Sequence, residues 1–89
     1  MINVDHCVRA GTFACKAAGL SDNQARAFAL KGTAELLIAE AANLEAFAPY
    51  ADREQYRKRD EKQAQEMRQV ALDLTTEADG LLGQPEGGA

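Results

Sequence analysis

The sequence lacks tryptophan and has only two prolines, and aromatic residues make up 6% of its 89 positions although 46% of the chain is apolar. Alanine supplies much of that apolar content. The most frequent residue types, Ala, Leu, Glu, Gln, Lys and Arg, are those that favour helices. The composition therefore disfavours an all-β or α/β fold and predicts one small all-α domain.

Residues that bind soft metals are also scarce, because the chain has one histidine, His6, and two cysteines, Cys7 and Cys15. On a helix, Cys7 and Cys15 would be about 12 Å apart along the axis and about 80° apart around it. They cannot share a metal ion or close a disulfide within one helix. We expect no metal site and no cofactor, with both cysteines as thiols in the core and His6 at the surface.

The chain also lacks the residue pattern of an enzyme active site. His6 is adjacent to Cys7 and therefore cannot face it as a general base. The glycines do not form a phosphate-binding loop, and no Glu-x-x-His pair accompanies the acidic residues of the middle segment. We therefore predict no catalytic residues and no enzymatic activity.

Long apolar runs and an excess of basic residues are absent as well. The chain has net charge −4, and Glu35, Glu40 and Glu45 interrupt its most apolar stretch. The first five residues have no basic segment of the kind that begins a secretory signal. These features predict a cytoplasmic protein without a membrane span, and the acidic balance disfavours nucleic-acid binding.

The sequence does contain start and stop signals for three helices, at about 4–18, 22–47 and 53–82. Gly19 is placed to end the first helix, and Ser21 with Gln24 has the spacing of a capping box. Pro49 is expected to end the second helix, and Asp52 to cap the third. We predict a single domain over residues 1–82, followed by a disordered tail at 83–89.

A seam of alternating small and large apolar residues runs along the second and third helices, with members three and four residues apart. In the second helix it comprises Ala27, Leu30, Ala34, Leu37, Ala41, Leu44 and Ala48. In the third it comprises Ala64, Met67, Ala71, Leu74, Ala78 and Leu81. This heptad spacing predicts a long antiparallel hairpin in which alanines allow the two helix axes to approach closely.

The second helix has a further apolar face, so it must be covered on two sides. The short first helix can cover part of this face with its row of Val4, Val8, Gly11, Cys15 and Ala18. The distal half, from Leu36 to Phe47, is left without a partner. We therefore expect a homodimer that forms a four- to six-helix bundle.

The most distinctive candidate site is the turn of the hairpin, where three of the five aromatic residues lie close to arginines. The predicted partner-binding residues are Phe47, Tyr50, Arg53, Tyr56 and Arg57. Tyr and Arg are frequent anchors of protein interfaces. The alternative interpretation is that Phe47 and Tyr56 close the open end of the hairpin while the arginines are solvated. The outer face near Glu35, Ile38 and Glu45 is a second choice for the site.

Taken together, the sequence predicts a short N-terminal helix packed on a long antiparallel helical hairpin. This architecture occurs in many unrelated proteins and does not fix a function. The leading hypothesis is a non-enzymatic protein-protein interaction module, a small bacterial or phage-type adaptor or inhibitor that binds a larger protein. The alternatives are a nucleic-acid-associated helical dimer and a self-assembling structural subunit.

Overall fold

The computed structural model describes residues 2–50 and 52–83, and within these ranges the chain is helical, with no strand. Helix α1 spans Val4–Ala17, α2 spans Asp22–Phe47 and α3 spans Glu54–Leu82, with a 3₁₀ turn at Ala48–Tyr50. The predicted all-α fold is confirmed, since the short α1 packs on a long hairpin of α2 and α3. Gly83 caps the end of α3, and the rest of the predicted tail lies outside the described residues.

Helix α1 has a specific start and stop. The side chain of Asn3 accepts a hydrogen bond from the backbone N–H of His6 at 3.1 Å. At the other end Gly19 has a φ of 100°, and the N–H of Leu20 donates to the carbonyl of Cys15 at 3.1 Å. This is the Schellman motif that the Gly-Leu pair predicts, and it reverses the chain into α2.

The starts of α2 and α3 differ. The predicted capping box is present, because Ser21 and Gln24 each accept a hydrogen bond from the other's backbone N–H. The predicted cap at Asp52 is wrong, because α3 begins one residue later. Arg53 has the extended N-cap conformation there and makes no side-chain cap bond. A carboxylate at Asp52 is one position too early to serve the first N–H groups of α3.

The alternating seam forms the interface of the hairpin, as the spacing predicts. Its small members are all buried: Ala27, Ala34, Ala41 and Ala48 on one side, and Ala64, Ala71 and Ala78 on the other. Leu30 and Leu37 are buried between them, whereas the large residues contributed by α3 are half-buried. Two layers of the core lie along this seam, and partly buried Leu74 packs against both.

Ion pairs flank the seam and join α2 to α3 in antiparallel register. Arg26 pairs with Glu77 at 3.2 Å, and Lys31 pairs with Asp79 at 3.0 Å. Arg68 donates to Glu45 through its Nε at 2.8 Å. Glu45 therefore does not belong to a free outer face of α2, as the sequence suggested, because its position along the seam brings it to α3.

Helix α1 packs antiparallel on the first half of α2. Val8 is buried in the core, and Gly11 lies against Ala29. Val4 packs against the core layer that contains Leu37. Ala18, the last member of the predicted row, is exposed and lies just past the end of the helix at Ala17. Both cysteines are half-buried free thiols, so they are core residues only in part.

Candidate interaction surfaces

The hairpin turn presents the most exposed aromatic residues of the predicted site. Phe47 ends α2 with 69% of its surface exposed, and Tyr50 lies in the 3₁₀ turn with 82% exposed. Pro49 lies between them and lacks an N–H, so the turn tightens rather than continuing α2. The geometry thus holds two large rings at one end of the molecule. We call this end, residues 47–50 together with residues 52–62, which include the start of α3, the tip.

Arginines surround the third aromatic residue of the tip. The guanidinium carbon of Arg59 lies 5.1 Å from the centre of the Tyr56 ring, and that of Arg53 lies 5.9 Å from it. These separations are within the range of cation–π interactions. Two cations thus flank the Tyr56 ring, and one of them, Arg59, also pairs through its Nε with Asp60 at 3.7 Å.

The basic residues of the tip are interleaved with acidic ones. Residues 52–62 contain five basic and four acidic side chains, a local charge of +1 in a chain of net charge −4. The Glu54 carboxylate lies 3.7 Å from Arg57 and 3.6 Å from Lys58, all three being exposed. Exposed pairs at these distances are weak, so a partner's carboxylate can compete for the arginine.

The interpretation that Phe47 and Tyr56 close the hairpin is wrong for Phe47, whose ring is largely in solvent, and Tyr56 is also exposed. The end of the seam is closed instead by Ala48, which is buried. Because small residues line the seam, the two helices leave no space at that end for an aromatic ring.

A second surface lies along the half of the hairpin that α1 does not reach. One stripe of α2 begins with Ala25, Ala29 and Thr33, which are buried, and it continues into exposed residues. Leu36 on that stripe is 53% exposed, and Phe47 ends it. We call the exposed continuation of this stripe, together with the neighbouring flank of α3, the open face.

An apolar depression lies at the boundary between α1 and the open face. Its volume is about 180 Å³, and it is lined by Ile2, Val4, Leu37, Gln63, Glu66, Met67 and Val70. The sequence predicted that the distal half of α2 needs a partner, but it did not single out Val70, which is partly exposed on α3. The sequence pattern that could have identified Val70 is its position between Met67 and Leu74, on the flank next to the seam.

The sequence-based prediction also did not include Phe13, which is 78% exposed on α1. Phe13 lies five residues after the buried Val8, about 140° around the helix, so the outer side of α1 is its expected position. Phe13 is therefore a large apolar side chain on the solvent-facing side of α1.

Within residues 2–50 and 52–83, no group of three His, Cys, Asp or Glu side chains is placed to hold a metal ion. No helix in that part of the chain is both long and apolar enough to cross a membrane. The buried hydroxyl of Thr33 donates to the Ala29 carbonyl at 2.8 Å, so it has its hydrogen bond within α2.

Comparison with known proteins gives no relative from which a role can be transferred. The chain matches no protein-family model, and searches of curated proteins and of solved structures found no significant similarity.

Proposed function

We propose that this protein is a non-enzymatic protein-protein interaction module that binds a larger protein through its tip. The observation that carries the proposal is the exposure of Tyr50 beside the arginine-flanked ring of Tyr56. Rings of this kind contribute a large contact area and a polar end, and arginine adds charged hydrogen bonds. A small adaptor or inhibitor of bacterial or phage type that acts in the cytoplasm fits this role.

The partner surface that fits the tip combines an apolar pocket with acidic residues. Tyr50 would fill the pocket, since its ring is largely exposed. The exposed arginines of the tip favour carboxylates around it. Their charge is nearly balanced by the interleaved acidic residues, which supports protein binding better than nucleic-acid binding.

We also propose that the module is a homodimer. Leu36, Ile38 and Phe47 are exposed on α2, where they would be expected inside a stable monomer. Leu36 and Phe47 lie on one side of α2, whereas Ile38 lies about 180° around the helix from Phe47. Large apolar residues that share an exposed side of a helix, as Leu36 and Phe47 do, are typical of an interface. This observation also supports self-assembly as the second candidate function.

The tip proposal is tested with the double variant Tyr50→Ala and Arg53→Ala. Both side chains are exposed, so the thermal midpoint is expected to change little. Affinity purification from the native host, read by quantitative mass spectrometry, should show the specific partner reduced by roughly 30-fold, which corresponds to a hot spot of about 2 kcal/mol.

A matched control removes one aromatic and one basic side chain away from the tip, as Phe28→Ala with Arg26→Ala. Both of these side chains are exposed. The control is expected to retain the partner at the wild-type level. Full retention by the tip variant would show that the tip is not the site.

A further inference from the structure

The open face is a continuation of the surface that α1 covers, and α1 is too short to cover all of it. With 14 residues, α1 is about 21 Å long, whereas the 26 residues of α2 extend about 39 Å. Two α1 helices placed end to end would therefore match the length of the hairpin. The uncovered part of the hairpin therefore has about the length of a second α1.

The outer side of α1 has the chemistry to fill this position. Phe13 is 78% exposed, and Ala10, Ala14 and Ala17 are exposed beside it. Small residues around one large ring allow a helix to approach another surface closely. The open face offers Leu36 and Phe47 in return.

The charges of the two surfaces are complementary. The middle of the hairpin is acidic: Glu40 lies on the exposed stripe of α2 between Leu36 and Phe47, and Glu66 of α3 lines the depression beside it. The exposed flank of α1 has the basic residues Arg9 and Lys16, of which Lys16 pairs with Asp22 at 2.9 Å. An α1 placed on the open face would bring Arg9 towards these glutamates, which favours this pairing over other orientations.

We propose that the open face of each copy is covered by the outer side of α1 from a second copy, in a two-fold dimer with the hairpins antiparallel. This inference rests on the proposed homodimer and assigns its interface. The N-terminal ends of the two α1 helices meet near the two-fold axis. Phe13 then lies against Phe47 of the partner subunit.

The interface area is consistent with a stable dimer. One helix face of this length, about 21 Å by 10 Å in projection, buries roughly 300–400 Å² of accessible surface on each side. Because two-fold symmetry makes the contact twice, the total is roughly 1,200–1,600 Å², within the range of specific interfaces. The Arg53 and Tyr50 side chains of the tip take no part in it.

The test compares Phe13→Glu with the matched control Leu72→Glu, because Leu72 is 59% exposed on α3 but lies outside both proposed surfaces. Sedimentation equilibrium of the wild type is expected to give about twice 9.6 kDa. Phe13→Glu should raise the dimer Kd by roughly 100-fold or more, because it buries a carboxylate in an apolar contact. Leu72→Glu should leave the Kd within about threefold of the wild type.

A crosslinking experiment tests the geometry without relying on a charged variant. In a background with Cys7→Ser and Cys15→Ser, a tagged Phe13→Cys copy is mixed with an untagged Phe47→Cys copy and oxidised. The mixed disulfide is expected to form at least about tenfold faster than with Phe28→Cys as the second copy, because nearby thiols react before distant ones.

The outcomes separate the interface from the proposals it rests on. A wild type that sediments at 9.6 kDa overturns the dimer and this interface together. A dimer that survives Phe13→Glu, or that dissociates with Leu72→Glu, overturns the interface alone. Equal rates of crosslinking of Phe13→Cys to Phe47→Cys and to Phe28→Cys would also overturn the interface alone. The tip is judged separately by partner binding of the Tyr50 and Arg53 variant.

Discussion

Two helical glycines have different surroundings and therefore different roles. A Cβ built on Gly11 of α1 would lie 3.0 Å from the Cβ of Ala29 on α2. Ala29 is buried and has no rotamer that would relieve this contact, so the helices would have to move apart. Gly32 of α2 has nothing within 4 Å of its Cβ position. Close helix packing requires glycine at position 11 but not at position 32.

This difference predicts opposite effects of the same substitution. Gly32→Ala should stabilise the protein by about 0.5–1 kcal/mol, since alanine is the better helix former. Gly11→Ala gains the same propensity but incurs an overpacking cost of about 1–3 kcal/mol, for a net loss of about 1 kcal/mol. Urea unfolding followed by circular dichroism measures both. Equal stabilisation by the two variants would mean that α1 does not approach α2 closely at Gly11.

At the scale of elements, the hairpin could be read from the sequence because heptad spacing fixes which side of each helix is buried. Leu30, Leu37 and their flanking alanines are buried as that spacing predicts. The details of the turn could not be predicted in the same way. Whether Phe47 closes the hairpin depends on how tightly Ala48 packs, and the start of α3 depends on the 3₁₀ turn before it. These are tertiary properties that spacing does not encode.

The candidate surfaces were predictable to different degrees for the same reason. The aromatic and arginine residues of the tip stand close together in the sequence, so composition alone identifies them. The open face combines residues of α2 and α3, and Leu37 and Val70 line one depression at its edge only because of the register of the hairpin. Phe13 becomes significant only when Val8 is known to face the core.

The seam predicts a sharp contrast between adjacent alanines of α2. Ala41 is fully buried against α3, whereas Ala42 is exposed. Ala41→Leu should destabilise the protein by about 1–3 kcal/mol because it forces the two helices apart. Ala42→Leu keeps similar helix propensity and should change stability by less than about 0.5 kcal/mol. Denaturant titration of the two variants measures their free energies of unfolding. Unchanged stability of Ala41→Leu would contradict a close-packed seam.

For the whole molecule, the dominant fact is the small size of its side chains in the core. Of the twelve buried apolar residues among those described, nine are alanines, and Leu30 is the large side chain that is almost fully enclosed. Burial stabilises in proportion to apolar area, so an alanine contributes much less than a leucine. At the same time, Phe13, Leu36 and Phe47 remain exposed. Several of the largest apolar side chains therefore contribute little to the fold of one copy.

This imbalance predicts that stability depends on protein concentration. If the folded state is a dimer, unfolding and dissociation are coupled, and the thermal midpoint rises with concentration. With an unfolding enthalpy of about 0.7 kcal/mol per residue, the midpoint should rise by roughly 4 °C for each tenfold increase. Calorimetry or circular dichroism from about 1 to about 100 μM measures this slope. A midpoint that stays constant over that range would show that a single copy is the folding unit, in which case the exposed apolar residues of α2 do not serve self-association.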